Sequence, residues 1–241
     1  MRAQITPPVR RLLDALPRTG RQVADPVRVA AEATAAGCAV ALAHTPAADP
    51  AAELRDLVAR VAGAGLASAC ELTVPVDRLG SAAAGVVAAA ADAGLDVALD
   101  GVPAAVDALA AEAGPVTVVV RAADDGAEER CRALAGDRVR LTGAHLPGRC
   151  GAAADLAFVR CLDVLMSGAG RPGVGTTDPR LVALAGERAA WNERAPDSWE
   201  YVMPWQVRSE QQRRLVAGGY RVRVVLRSGP ATPALRPVGR S

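Results

Sequence analysis

The chain has 241 residues and a formal net charge of +2, with 28 basic residues against 26 acidic ones. Hydrophobic residues make up 51%, enough for a full core, although aromatics are only 2%. That balance excludes a disordered chain and gives no overall drive toward nucleic acid or an acidic membrane surface. All the basic residues are arginine, so chemistry that needs a lysine, such as a Schiff base or a P-loop, is excluded.

In chain order, the N-terminal stretch MRAQITPPVRRLLDALPRTGRQ is interrupted by prolines and arginines. It has no apolar run long enough for a signal peptide, and a cytoplasmic protein is expected. From residue 38 onward, short apolar runs alternate with alanine-rich helical ones. The sequence predicts strands at 38–43, 67–74, 95–100, 116–122, 138–142, 172–176, 199–203 and 221–226. Valine and leucine dominate several of them, as expected of parallel strands buried on both faces. Helices are predicted near 49–63, 80–93, 103–113, 125–135, 152–168, 179–194 and 208–218, rich in alanine, leucine, arginine and glutamate. Gly65, Gly94, Gly136, Gly170 and Gly219 fall at the helix-to-strand turns, where a left-handed cap favours glycine.

Strands and helices in this alternation have the count of a (β/α)8 barrel in one domain, with a doubly wound open sheet as the alternative. The reading divides the chain into a helical lead-in at 1–35, a barrel at 36–229 and a proline-rich tail at 230–241. Pro230, Pro233 and Pro237 oppose a regular closing helix. The barrel either lacks that helix or has the same face covered from the N-terminal side, around 6–16.

Five cysteines, Cys38, Cys70, Cys131, Cys150 and Cys161, are odd in number and widely spaced. They read as reduced thiols rather than a disulfide framework or a zinc site.

In a barrel, chemistry gathers at the C-terminal strand ends. The polar residues expected there are His44, Glu71, Thr73, Asp100, Arg121, Thr142 to His145, Thr176 to Asp178, Met203 to Trp205, and Arg227. His44, His145 and Asp100 come without an H-x-H pair and without a second carboxylate on strand five, so ordinary loop histidines are the stronger reading. Gly168, Gly170 and Gly173 match G-x-G-x-x-G but follow a helix and run into a strand, which marks a turn and not a dinucleotide fingerprint. Trp191, Trp199 and Tyr220 read as core, while Trp205 suits packing and stacking on a planar ligand equally. The arginines of RSEQQRRLVAGGYRVRV read as a solvated helix face rather than a polyanion site.

The segment 203–224, MPWQVRSEQQRRLVAGGYRVRV, resembles the end of the flavin-dependent proline dehydrogenase family. Met203, Arg208, Gln212, Leu215, Gly219, Tyr220, Val222, Arg223, Val224 and Gly229 fit its pattern without gaps. TTDPRL is similar to the family's turn after strand six, and WEYVM, VRLTGAH, VTVVVRA, VALD and ACELT are similar, in order, to its strands seven, five, four, three and two. The resemblance implies an FAD enzyme on a (β/α)8 barrel that takes a hydride from proline and makes pyrroline-5-carboxylate. It implies a small-molecule substrate, proline or a related amine, and no nucleic-acid partner. It leaves the electron acceptor open, with a quinone at the membrane surface as one candidate.

Carried over by motif, Arg140 faces the flavin, Gly143 and Ala144 let it approach the backbone, and Thr176 and Thr177 line it, with Arg121 beside them in place of a glutamine. Asp100 becomes the active-site acid and Trp205 replaces a substrate-packing tyrosine. Glu71 stands where the family has a substrate-side lysine, a charge reversal. The family's closing-helix arginine pair has only Arg236 and Arg240 as counterparts. Two further readings stay open: a non-catalytic barrel relative acting as a binding or assembly protein, and a flavin enzyme in which Glu71 pairs with the cation of another amine.

Overall fold

A computed structural model describes residues 22–143 and 152–230. Helix α1 (Pro26–Ala35) leads into strand β1 (Ala39–His44), and eight strands then alternate with helices. After β1 come α2 (Pro50–Gly63), β2 (Cys70–Pro75), the single turn α3 (Val76–Leu79), α4 (Ala83–Asp92) and β3 (Asp96–Asp100). These are followed by α5 (Pro103–Ala113), β4 (Thr117–Arg121), α6 (Ala127–Ala133), β5 (Arg138–Thr142) and α7 (Ala152–Ser167). The fold ends with β6 (Arg171–Gly175), α8 (Pro179–Trp191), β7 (Glu200–Pro204), α9 (Ser209–Ala217) and β8 (Val222–Ser228). Each strand pairs parallel to the next, and β8 returns to β1, so the sheet is a closed barrel and not an open one.

Three helices start the same way. Asp25, Asp49 and Asp178 each cap a helix through a backbone N–H two or three residues on, and Pro26, Pro50 and Pro179 follow them. The aspartate satisfies a free N–H, and the proline has none to satisfy. Helix α1 packs on β1 and β8. It takes the place that a helix after β8 would fill, so the closing face is covered from the N-terminal side by 26–35. Segments 6–16 and 231–241 lie outside the described residues. No helix among those described is long and apolar enough to cross a membrane.

Alternation along the strands sorts side chains into two layers. Val40, Leu42, Leu72, Val74, Leu99, Val118, Val139, Leu141, Val174, Met203, Val224 and Leu226 join the helices in one continuous core. Ala41, Ala98 and Val202 are equally buried yet stand apart from that core, because they point into the barrel. The inward row also holds Glu71, Thr117, Arg140, Gly173, Glu200 and Arg223, as the strand registers require.

Three expectations change. Gly136 and Gly170 do not adopt the left-handed conformation that Gly65, Gly94 and Gly219 do. Gly168 and Gly170 serve instead as close-approach points, since a Cβ at either would overlap the carbonyl of Ala135 or Asp137. Trp191, expected in the core, is 81% exposed, because α8 buries its Leu181, Val182, Ala185 and Ala189 face. Tyr220 is 40% exposed but still meets Trp199 edge-on, with ring centroids 6.1 Å apart.

The α7–β6 turn is clamped by Arg194, which donates to the carbonyls of Met166, Gly168, Gly170 and Ser198. Gly170→Ala forces the backbone of Asp137 aside and should destabilise the protein by about 1–3 kcal/mol, as overpacking does. Urea denaturation followed by circular dichroism measures this, and an unchanged midpoint would refute the close approach.

Candidate functional site

The inward row forms two polar levels. The upper one lies at the C-terminal strand ends. Asp100 ends β3 and Arg121 ends β4, and their side chains form a partly buried ion pair. Thr142 ends β5 and Gly143 follows it with φ 106, a conformation that glycine adopts freely. Gly175 ends β6, and a Cβ there would stand 2.6 Å from the carbonyl oxygen of Leu141. Thr176 is buried and accepts the Asp178 N–H, while Thr177 beside it is half-buried. Trp205 follows β7, half-buried against the core, and its backbone N–H donates to the Val225 carbonyl at 3.1 Å. Arg227, next to the last residue of β8, completes this rim.

The lower level is a buried charge layer. Glu71 was expected at the mouth, but residues 67–69 form a 3-10 turn and β2 begins only at Cys70. Glu71 therefore sits in the N-terminal half, level with Asp96 at the start of β3. It is 2% exposed, forms an ion pair with Arg140, and accepts the Thr117 hydroxyl at 3.0 Å. Arg140 points into the barrel, reaches Thr73 Oγ1 at 3.4 Å, and is held below the rim by Glu71. Burial pushes its guanidinium down to about 10, with the like charge of Arg223 adding to the effect and Glu200 opposing it. A second pair lies beside it: Arg223 Nε donates to Glu200 at 2.5 Å, and Arg223 also reaches the Val40 carbonyl.

The structure thus brings Asp100, Arg121, Gly143, Thr176, Thr177 and Trp205 to one mouth and sets Glu71 and Arg140 beneath it. Ala144 and His145 lie outside the described residues. Because Glu71 is already matched by Arg140, it is not free to hold the cation of an amine substrate. A lysine there would meet Arg140 in a buried site instead of drawing in proline.

Thr117, Glu200 and the inward role of Arg223 were not read from the sequence. Their signal was present: arginine recurs every second residue at 138 and 140 and at 221 and 223, a period that puts each pair on one strand face.

His44 lies at the rim but faces the helix layer. Its Nδ1 meets Ser228 Oγ at 2.9 Å and its Nε2 meets Glu53 at 3.2 Å. Ser228 is 4% exposed, so the set ties β1, β8 and α2 together and presents no nucleophile. Among the described residues, no cluster of three or more histidine, cysteine or acidic side chains has metal-binding geometry.

A groove of about 790 Å³ runs beside the ends of β4 and β5, lined by Ala122, Ala123 and Gly143. Its charged wall holds Asp124, Asp125, Glu128 and Glu129 against Arg132 and Arg160, which disfavours a diphosphate. The side of the mouth with Arg121, Thr142, Thr176, Thr177 and Arg227 carries donors that suit an anionic ligand.

No family model matches this sequence, and no curated protein matches it. Among solved structures, the fold is similar to proline utilization A from Bdellovibrio bacteriovorus, inactivated by N-propargylglycine. That match has 16% identity and a TM-score of 0.75, and covers 94% of this chain and 32% of the other. A variant of proline utilization A from Bradyrhizobium japonicum matches at 14% identity and TM-score 0.58, over 79% of this chain and 26% of the other. The chain therefore spans about a third or less of the length of these proteins. At such identities the likeness establishes a shared barrel fold.

Two measurements check the site. Glu71→Gln leaves Arg140 buried without a counter-charge and should destabilise the protein by about 3–5 kcal/mol, whereas Glu71→Leu with Arg140→Met should recover most of that loss. A double-mutant cycle in urea reads the coupling.

The second measurement concerns the β1–α2 loop. N–H groups of Ala47 and Ala48 and the His44 ring hold the Glu53 carboxyl down to about 2. A depressed folded value contributes stability above the unfolded value near 4.5 and loses it as pH falls toward 2. Wild type should lose more stability over that window than Glu53→Gln; equal losses would refute the clamp.

Proposed function

We propose that the chain is a proline dehydrogenase-like flavoprotein, oxidising proline or a related cyclic amine at the C-terminal mouth of the barrel. The observation that carries this reading is the Asp100–Arg121 pair at the mouth of a barrel whose fold follows proline utilization A over 94% of the chain. Motif order along the sequence supports it further, since the resembling segments fall in sequence on strands two to five, just after β6, and on strands seven and eight.

In this reading Arg121, Thr176 and Thr177 hold FAD, with Gly143 letting the ring approach the backbone. FAD, when bound, would supply the two-electron acceptor for a hydride from the carbon beside the amine nitrogen, with the nitrogen's proton passing to water as the C=N bond forms. Arg121 would supply positive charge beside the cofactor. Asp100, kept in line by Arg121, presents a carboxylate to the substrate ammonium. Trp205 packs the apolar face of the substrate ring and excludes water. Glu71 and Arg140 act from below, as a rigid floor that fixes β2, β4 and β5 under the site. The resemblance leaves the electron acceptor open, with a quinone as one candidate.

Substrate positioning is the weak part of the site. No lysine is available anywhere in the chain, and displacement of a bound substrate by 1 Å costs about 100-fold in rate. Flavin binding should therefore outlast proline turnover. The protein should purify with, or take up, FAD, and Arg121→Gln should weaken FAD retention by about tenfold, the loss of one charged hydrogen bond. Anaerobic addition of excess proline should bleach the flavin band slowly. Rapid bleaching would show that the substrate is well held without a lysine. Failure of the folded protein to bind FAD would favour a non-catalytic barrel that serves as a binding protein.

A further inference from the structure

The opposite end of the barrel carries a second polar cavity that the proposed chemistry does not use. It has a volume of about 60 Å³ and opens between the N-terminal ends of β3, β5, β6, β7 and β8. Five guanidiniums line it, those of Arg138, Arg140, Arg171, Arg221 and Arg223, against four carboxylates, those of Glu71, Asp96, Asp197 and Glu200.

Three of those carboxylates are committed. Glu71 is matched by Arg140 and Thr117, Glu200 by Arg223, and Asp96 by Arg138 at 3.0 Å. What is left over is positive. Arg171 donates to the backbone carbonyl of Asp197 and not to its carboxylate. The side chain of Arg221, at the exposed rim, has no hydrogen bond or ion pair among the described residues, while its carbonyl accepts the Tyr201 N–H. Arg140 is 5% exposed, and its buried Nε has no hydrogen-bond partner. Gly173 forms part of the wall, where a Cβ would crowd Val202 at 3.1 Å.

We propose that this N-terminal mouth binds a small tetrahedral oxyanion of the phosphate or sulfate type. Planar guanidiniums present forked N–H donors that fit oxyanion oxygens in pairs, and a buried N–H without a partner is costly to leave unmet. The space exceeds the roughly 10–15 Å³ that one water needs, so it admits an ion of this size or a few waters. Water satisfies Nε but not the one net positive charge that Arg171 and Arg221 leave over Asp197; an oxyanion answers both. The site is independent of the reading above, because the Glu71–Arg140 and Glu200–Arg223 layer separates the two ends.

The test uses the full chain. Its melting temperature is followed against sodium phosphate, with sodium chloride at matched ionic strength as reference. A ligand that binds only the folded state raises the melting temperature with its concentration. Wild type should show a phosphate-specific rise, and isothermal titration should give a dissociation constant that weakens about tenfold or more in the Arg171→Gln, Arg221→Gln double variant. Both residues are exposed at the rim, so the variant keeps the buried pairs. A control, Arg213→Gln with Arg214→Gln on α9, changes net charge equally and should bind phosphate like wild type. The proposal is overturned if phosphate acts no differently from chloride, if the double variant binds equally well, or if the control loses binding to the same degree.

Discussion

The ion pair between Glu71 and Arg140 is the constraint on which the barrel depends. Removing two charges from water costs several kcal/mol per ion, and the attraction between them offsets this only when geometry is good and the remaining donors and acceptors are met. Here the second Glu71 oxygen takes the Thr117 hydroxyl and another Arg140 nitrogen reaches Thr73, which leaves Arg140 Nε as the buried donor not met within the pair. The network joins β2, β4 and β5, which are not all neighbours in the ring, so it holds only if β3 is also in place. A one-residue slip of β5 would turn Arg140 into the helix layer and bring Val139 and Leu141 inside. Each half of the pair is then an uncompensated charge, a penalty that singles out one register.

Such a layer needs room. Barrel interiors are usually filled by stacked branched side chains. In this chain β1 offers Ala39, Ala41 and Ala43 to the interior, β3 offers Ala98, and β6 offers Gly173 and Gly175. The long stems of Arg140 and Arg223 fill the space that these small residues leave, with their charged heads matched inside. The low aromatic content and the absence of lysine thus have a structural counterpart: bulk at the barrel centre comes from arginine.

The element order, the parallel barrel and most boundaries were legible because periodicity, glycine and proline mark them locally. Asp-Pro at 25–26, 49–50 and 178–179 announces a helix start by capping chemistry alone. The start of β2 was not legible, since ASA at 67–69 has no residue that distinguishes a strand from a 3-10 turn. Those three residues moved Glu71 from the expected mouth to the base. Its partner was equally hidden, because Arg140 lies 69 residues away and meets it only through the register of the strands between. Trp191 misled for a simpler reason: hydrophobic character says nothing about which side of a helix end a residue occupies. By contrast, Asp100, Arg121, Thr176 and Trp205 were placed correctly at the mouth, since each sits where a strand ends, and strand ends are what sequence patterns mark.

The charge layer also determines how the two ends of the barrel can be read separately. It is the floor of the C-terminal mouth and the roof of the N-terminal cavity. Any substitution within it disturbs both ends together with the fold, and loss of function there would say nothing about either site. The rims differ. Arg121 with Asp100 above, and Arg171 with Arg221 below, are attached to strand ends whose backbones the barrel already fixes. Their side chains can change without breaking the buried pairs. A fold held by its middle layer leaves both rims free to change without loss of the barrel.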